Sequence, residues 1–337
     1  MARNILLTVF FLFFNWSIGQ EISGYIFDSK TKEPIRGASV YFDGSSMGAI
    51  TNLEGQFGIR APIKTHAILI ISHLGYVTKK IDNPFQEEGL RIALVEDVQR
   101  LPEVILISDP FSRRQKLRVF RKEFLGDTRA AKFSRILNED LIELFFNSYD
   151  NTLSAHVKGT LVIENKYLGY LIRFDLDEFK IHFRKKSLER VDNIKYTLFA
   201  GFTRFTDIAN YDSKIFKRRE KAYLGSSMHF MRTCWNNNWE GQNFTLKREL
   251  RTISPNQFIE NISTDSVGFK TIRFQNKNFV IYHKNKSYYR STVKFTGETS
   301  SFSIDKYGYY KPYKNLVFGG YMANLRIGDM LPIDYRL

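Results

Sequence analysis

The sequence predicts a mostly β protein in two parts, an N-terminal β-sandwich followed by a strand-rich α+β domain, on three observations. Short alternating runs recur roughly every eight to twelve residues from Ile22 to about Ile107, each closed by turn residues, which is the signature of a sandwich. Beyond Asp109-Pro110 helical spacing appears, and alternating strands then return. Charge divides at the same place: residues 1–110 carry 10 Lys/Arg against 12 Asp/Glu (net −2), and residues 111–337 carry 40 against 23 (net +17), which together give the chain's +15.

The first segment reads as a processing signal. Arg3 gives a positive start, residues 5–14 are apolar except for Thr8, and Ser17-Ile18-Gly19 places small residues before a cut at Gln20. A signal peptide over 1–19 is therefore expected. The apolar run is short for a membrane span, so the mature chain is expected to be exported and to keep no transmembrane helix. Cys234 is the single cysteine. It allows no intramolecular disulfide and leaves no cysteine near the cut to carry a lipid, which points to a bacterial envelope.

Strands follow over residues 22–27, 38–42, 67–72, 76–81 and 90–94, with turns over 28–34 and 43–48. The stretch TNLEGQFGIR begins with the turn Asn52-Leu53-Glu54-Gly55 and ends in an alternating strand. There Gly55 supplies a backbone angle that a Cβ would penalise, Asn52 and Glu54 cap the turn, and Phe57 enters the core. The spacing lacks the alternating Asp/Asn ligands and terminal Glu of a calcium loop.

Four ordered motifs give this region a family likeness. They are Gly24-x-x-x-Asp28, Glu33-Pro34-Ile35-x-Gly37-Ala38-x-Val40, Thr51-Asn52-x-Glu54-Gly55-x-Phe57 and Ser72-x-Leu74-Gly75-Tyr76. Residues 21–107 resemble the carboxypeptidase regulatory-like domain. The resemblance implies a seven-stranded, prealbumin-like (transthyretin-like) sandwich, separate from any peptidase unit and recurrent in Gram-negative envelope proteins.

Past the boundary, residues 111–126 read as a helix with Leu117, Phe120 and Phe124 on one face and Gly126 as its C-cap. A second helix is expected over 130–146 from the spacing of Leu137, Leu141, Leu144 and Phe145. Strands are expected over 153–157, 159–165, 170–175, 178–183, 196–202, 269–274, 279–283 and 292–295. Dense aromatics and alternation also suit an outer-membrane barrel, against which stand the two helices and the charges along the strands. Phe120-Arg121-x-x-Phe124-Leu125-Gly126, Ile163-Glu164-Asn165-x-x-Leu168-Gly169-Tyr170, Ala222-Tyr223-x-Gly225-Ser226-x-x-His229-Phe230 and Met330-Leu331-Pro332-x-x-Tyr335 resemble a region that follows the sandwich in uncharacterised envelope proteins. That likeness implies a companion domain over 111–337 and carries no activity with it.

Chemistry is sparse. None of the six histidines has a Glu three residues later, so the zinc spacing of a carboxypeptidase is missing, and no cofactor motif is present. Gly44-Ser45-Ser46-Met47-Gly48 matches G-x-S-x-G in letters, yet a strand and turn follow where a nucleophile elbow needs a helix. Ser226 and His229, three apart with Arg218, Arg219 and Arg232 nearby, form the best-placed constellation. It reads either as an N-capped helix start that contacts an anion or partner, or as part of a hydrolase site. Asp175, Asp177 and Glu178 suit paired acids or a solvated strand end. Tyr307-Gly308-Tyr309-Tyr310-Lys311-Pro312-Tyr313 suits core packing or a glycan-stacking face.

The expectation is an exported, non-catalytic envelope protein of the periplasm or outer membrane, with the sandwich as docking module and a basic binding or assembly domain. Its expected partner is an envelope protein or an anionic glycan or lipid surface, and export disfavours nucleic acid. The alternatives are a hydrolase near Ser226 and His229 or a glycan-binding module. The sequence leaves the oligomeric state open.

Overall fold

The computed structural model describes residues 20–61, 65–86, 89–97, 109–189, 191–248, 251–266, 268–285 and 287–336; the expected signal peptide lies outside them. Seven strands make the sandwich: β1 (Gln20–Asp28), β2 (Ser39–Phe42), β3 (Gly48–Ile50), β4 (Gln56–Ala61), β5 (Leu69–Ser72), β6 (Lys79–Ile81) and β7 (Leu90–Leu94). One sheet has the order β4-β1-β7, with β7 parallel to β1, and the other has the order β3-β2-β5-β6. Alternation dictates the packing, since Ile22 and Ile26 of β1 and Phe57 and Ile59 of β4 meet Val40, Phe42, Leu69 and Ile71 in one buried cluster.

The 52–55 turn is structural. The Asn52 side-chain carbonyl accepts from the Gln56 and Glu54 amides at 2.7 and 3.2 Å. Glu54 contributes its backbone N–H to that cap. Gly55 has φ +73°, and a Cβ there would stand 2.4 Å from the Ile26 carbonyl oxygen, which itself receives the Ile35 amide. Gly55→Ala is expected to cost about 2–3 kcal/mol through left-handed strain and that clash. The urea-unfolding midpoint measures it, and a loss under about 0.5 kcal/mol, the range of an ordinary surface change, would refute this role.

The rest of the chain runs α1 (Arg113–Leu125), α2 (Arg129–Lys132), β8 (Ser134–Ile136), β9 (Ile142–Asn147), β10 (Thr152–Val157), β11 (Thr160–Asn165), β12 (Tyr170–Phe183) and β13 (Ile194–Asp207). Next come α3 (Ser213–Tyr223), α4 (Ser227–Asn236), β14 (Phe244–Arg248), β15 (Arg251–Ile253), α5 (Pro255–Phe258), β16 (Ile259–Thr264), β17 (Lys270–Phe274) and β18 (Asn278–Asn285). Last are β19 (Ser287–Phe295), β20 (Ser301–Ile304), β21 (Tyr310–Lys311), β22 (Leu316–Gly320) and α6 (Tyr321–Asn324). Strands β8–β13 form a six-stranded sheet, in which β13 pairs with β12 only, and α1 packs Phe120 and Phe124 onto its core. A second core gathers α4 with the sheets β15-β14-β18-β19-β22 and β16-β17-β20-β21. No helix among the described residues is long and apolar enough to cross a membrane.

Helix α1 follows the sequence closely. Ser112 and Gln115 form a capping box, and Gly126 ends the helix at φ +101°. The expected second helix over 130–146 is corrected: only α2 and one 3₁₀ turn at Glu139–Leu141 are helical, and β8 and β9 occupy most of the remainder. Alternation overrides helical spacing, because Ile142, Leu144 and Phe146 are buried while Leu137 and Phe145, counted toward a helical face, are about half exposed.

Candidate functional site

The five candidate contact residues do not converge on one site. The Arg219 guanidinium is buried, donating to the Leu168 carbonyl at 2.7 Å, to the Gly169 carbonyl at 2.9 Å and to both Asp207 carboxylate oxygens, with the Tyr170 ring 3.8 Å away. Arg218 lies over Tyr167 at 4.6 Å. The Ser226 hydroxyl caps α4 by accepting from the His229 amide at 3.2 Å. His229 is buried. Its Nδ1 accepts from the Gly225 amide at 3.0 Å, which leaves Nε2 to donate to the Gln242 side-chain oxygen at 2.8 Å. Burial pulls its pKa down to about 4. Arg232 donates to the carbonyls of Tyr307 (3.0 Å), Tyr335 (2.8 Å) and Ile333 (2.6 Å), and so ties the tyrosine-rich loop and the C-terminal tail to α4.

Other sequence candidates turn out to join the sandwich to the rest of the chain. Ser45 donates to the Phe42 carbonyl in a turn between two strands, and its own carbonyl accepts the Phe205 amide at 2.9 Å. Gly44 exchanges bonds with Thr203 and Ile333, at 2.8 and 2.7 Å. Asp175 accepts from the Tyr41 hydroxyl at 2.6 Å, and Asp177 pairs with Lys80 at 2.7 Å. On the far side, Asp305 accepts from the Thr65 hydroxyl and the His66 amide, and the His66 ring stacks on Phe269 at 3.7 Å. Cys234 is buried, which pushes its thiol pKa well up. Among the described residues, no three His, Cys, Asp or Glu side chains gather as a metal site.

This seam encloses a cavity of about 480 Å³. Asp43 and Gly44 come from the sandwich, Phe199 and Phe202 from β13, Met228 and Met231 from α4, Tyr309 and Tyr313 from the tyrosine-rich loop, and Met330 and Leu331 from the tail. Asp43 is its polar centre. One carboxylate oxygen accepts from the Thr203 amide at 2.9 Å and the other faces the Tyr309 hydroxyl at 3.5 Å. Burial raises the Asp43 pKa to about 6 despite those bonds, and raises that of Tyr309 as well. Asp43 and Asp177 are the charged groups of the wall, which carries no Lys or Arg. A smaller cavity of about 120 Å³ shares Ser227, Met228, Met330 and Leu331, and there Asp329 is raised to about 6 by burial.

Sequence reasoning singled out the tyrosine run but gave it no partners. Asp43 stood in a turn with nothing to mark it, and it lies 266 positions from Tyr309. Nothing local couples residues so far apart.

Seven strands in two sheets with these turn motifs define a regulatory-like sandwich. Residues 22–106 match the model of the CarboxypepD_reg-like domain. The chain is also 26% identical over 144 residues, 43% of its length, to the TonB-dependent receptor SusC of Bacteroides thetaiotaomicron, and the match spans 13% of that receptor. A type II cohesin–X-dockerin complex from Acetivibrio cellulolyticus aligns at 27% identity over 22% of this chain and 52% of the other, with a TM-score of 0.19. A protein of unknown function from Bacteroides fragilis aligns at 11% identity over 89% of this chain and 98% of the other, with a TM-score of 0.18. Scores that low carry no argument about arrangement.

Proposed function

We propose that the chain is an exported, non-catalytic binding protein of a Gram-negative envelope, acting in the periplasm or at the outer membrane, with its ligand site in the seam cavity. The observation that carries this reading is how the cavity is built: sandwich, β13, α4, the tyrosine-rich loop and the tail each supply part of one wall. Its volume and its apolar lining around a single central carboxylate suit ligand capture. The sandwich then serves as a fixed wall as well as a docking module. The likeness to SusC supports the envelope setting. The +17 of residues 111–337 supports a separate outer contact with an anionic glycan, lipid or protein surface. No observation favours the hydrolase alternative, since Ser226 and His229 spend their polar atoms on a helix cap and on Gln242.

Ala200 is exposed and lines the cavity, so Ala200→Trp plugs it while sparing the core. Mature chain and plugged variant are to be incubated with a Gram-negative envelope extract at low and high salt. A component retained by the first and lost by the second is expected. Equal retention by both would remove the cavity from the function.

A further inference from the structure

Resting on that reading of the seam cavity, we infer that its ligand is a small organic ammonium carried on an aromatic or apolar body. The chain is strongly basic overall at +15, yet the cavity wall carries two carboxylates, Asp43 and Asp177, and no Lys or Arg. Lys80 reaches in from beside the wall to pair with Asp177 at 2.7 Å, which leaves Asp43 as the wall carboxylate with no ion pair among the described residues. An anionic ligand would meet that carboxylate with no Lys or Arg of the wall to neutralise it. A many-hydroxyl sugar would find few fixed polar partners on walls made mainly of Phe, Tyr, Met and Leu.

Two features favour a cation positively. The wall already holds an ammonium against a ring, Lys80 Nζ lying 4.3 Å from the Phe202 centroid, and Tyr309 and Tyr313 offer further aromatic faces, which attract an ammonium increasingly as water is removed. Asp43 sits among them with one carboxylate oxygen met only at 3.5 Å by the Tyr309 hydroxyl, so it keeps acceptor capacity for an N–H donor. Burial disfavours the charge on Asp43. A bound ammonium restores the favourable field that water no longer supplies. The volume of about 480 Å³ suits one ring with a short side arm.

Methionine methyl groups report on the site directly, since Met228, Met231 and Met330 line it and Met47 in the sandwich does not. The experiment titrates ¹³C-methyl-methionine mature chain at pH 7.5 with three para-substituted phenols that differ in the charge of the side arm: tyramine, 4-ethylphenol and 4-hydroxyphenylacetate. Tyramine is expected to shift those three signals and to bind about 10-fold or more tighter than 4-ethylphenol, with the carboxylate weakest. Asp43→Asn is expected to cut that preference to about 2–3-fold while the cavity still admits the neutral phenol. Should Asp43→Asn misfold, Tyr313→Ala tests the same point at a half-exposed position and is expected to weaken tyramine more than 4-ethylphenol. Equal or tighter binding of 4-ethylphenol would overturn the ammonium class and leave the cavity as a binding site. If none of the three moves the methyl signals, both the class and the site fail.

Discussion

Arg219→Met is expected to destabilise the chain by about 2–4 kcal/mol. The guanidinium is 3% exposed and answers the buried carbonyls of Leu168 and Gly169 together with both oxygens of Asp207. A methionine of similar length leaves the Leu168 carbonyl without a donor, while the Gly169 carbonyl keeps the Ile208 amide at 2.9 Å, and one unmet buried acceptor costs about 1–3 kcal/mol. Loss of the stack on Tyr170, 3.8 Å away, adds to this. Asp207 is about half exposed, so water recovers most of its share and the ion pair itself contributes little. Arg219→Lys tests the geometry, because a single ammonium cannot span donors that diverge toward two carbonyls and a carboxylate. Its expected loss is smaller, about 1–2 kcal/mol, since an ammonium can meet the Leu168 carbonyl but not Asp207 as well. Urea midpoints of the three proteins decide this, and a loss under about 1 kcal/mol for Arg219→Met, less than one unmet buried acceptor, would show that water or a neighbour reaches the Leu168 carbonyl.

Arg219 also marks what the sequence can and cannot state. Local periodicity was enough for the sandwich strands and for α1, where the Ser112 and Gln115 box and Gly126 bound a clean apolar face. It failed over 130–146, where leucines and phenylalanines fit both a helical and an alternating pattern and the pairing of β9 with β10 chose the second. The Arg218–Arg232 segment was legible as a helix start, but the destination of each side chain was not. Arg219 turns to the hairpin loop at Leu168-Gly169 and Arg232 to the C-terminal tail, contacts 50 and 103 positions away. The seam cavity was the least legible part. It needs Asp43, Phe202, Met228, Tyr309 and Leu331 together, and only tertiary pairing such as Gly44 with Thr203 brings them there.

Asp43 and Asp329 are expected to add stability as the solution is acidified from pH 7 to about pH 5, opposite to the usual direction for a carboxylate. Asp43 and Asp329 are each raised to about 6 by burial, against about 3.9 in an unfolded chain. The folded protein therefore binds these two protons more tightly than the unfolded chain does. Their contribution is fully favourable below about pH 4 and is lost as pH climbs through about 6, at about 2–3 kcal/mol for each group. Asp28, Asp109 and Asp207 act in reverse. Each is lowered, Asp28 chiefly by backbone hydrogen bonds, Asp109 by Lys116 and the amides of Phe111 and Phe146 acting against burial, and Asp207 chiefly by Arg219. Their support is complete above the usual carboxylate range and falls away only below it. His66, His229 and His283, all lowered by burial, titrate in the same window with the opposite sign: the unfolded chain takes up their protons at about pH 6.5 before the folded one does, so they withdraw stability as pH falls. The part due to the two carboxyls is therefore read as a difference: from pH 7.5 to 5.5 the stability of Asp43→Asn with Asp329→Asn, from urea midpoints, is expected to fall by about 1–2 kcal/mol more than that of the wild type. Wild type and variant changing in parallel would mean the two buried carboxyls are better solvated or better paired than the seam shows. A ligand ammonium at Asp43 would act on the same balance, holding the carboxylate charged and shifting that part of the rise to lower pH.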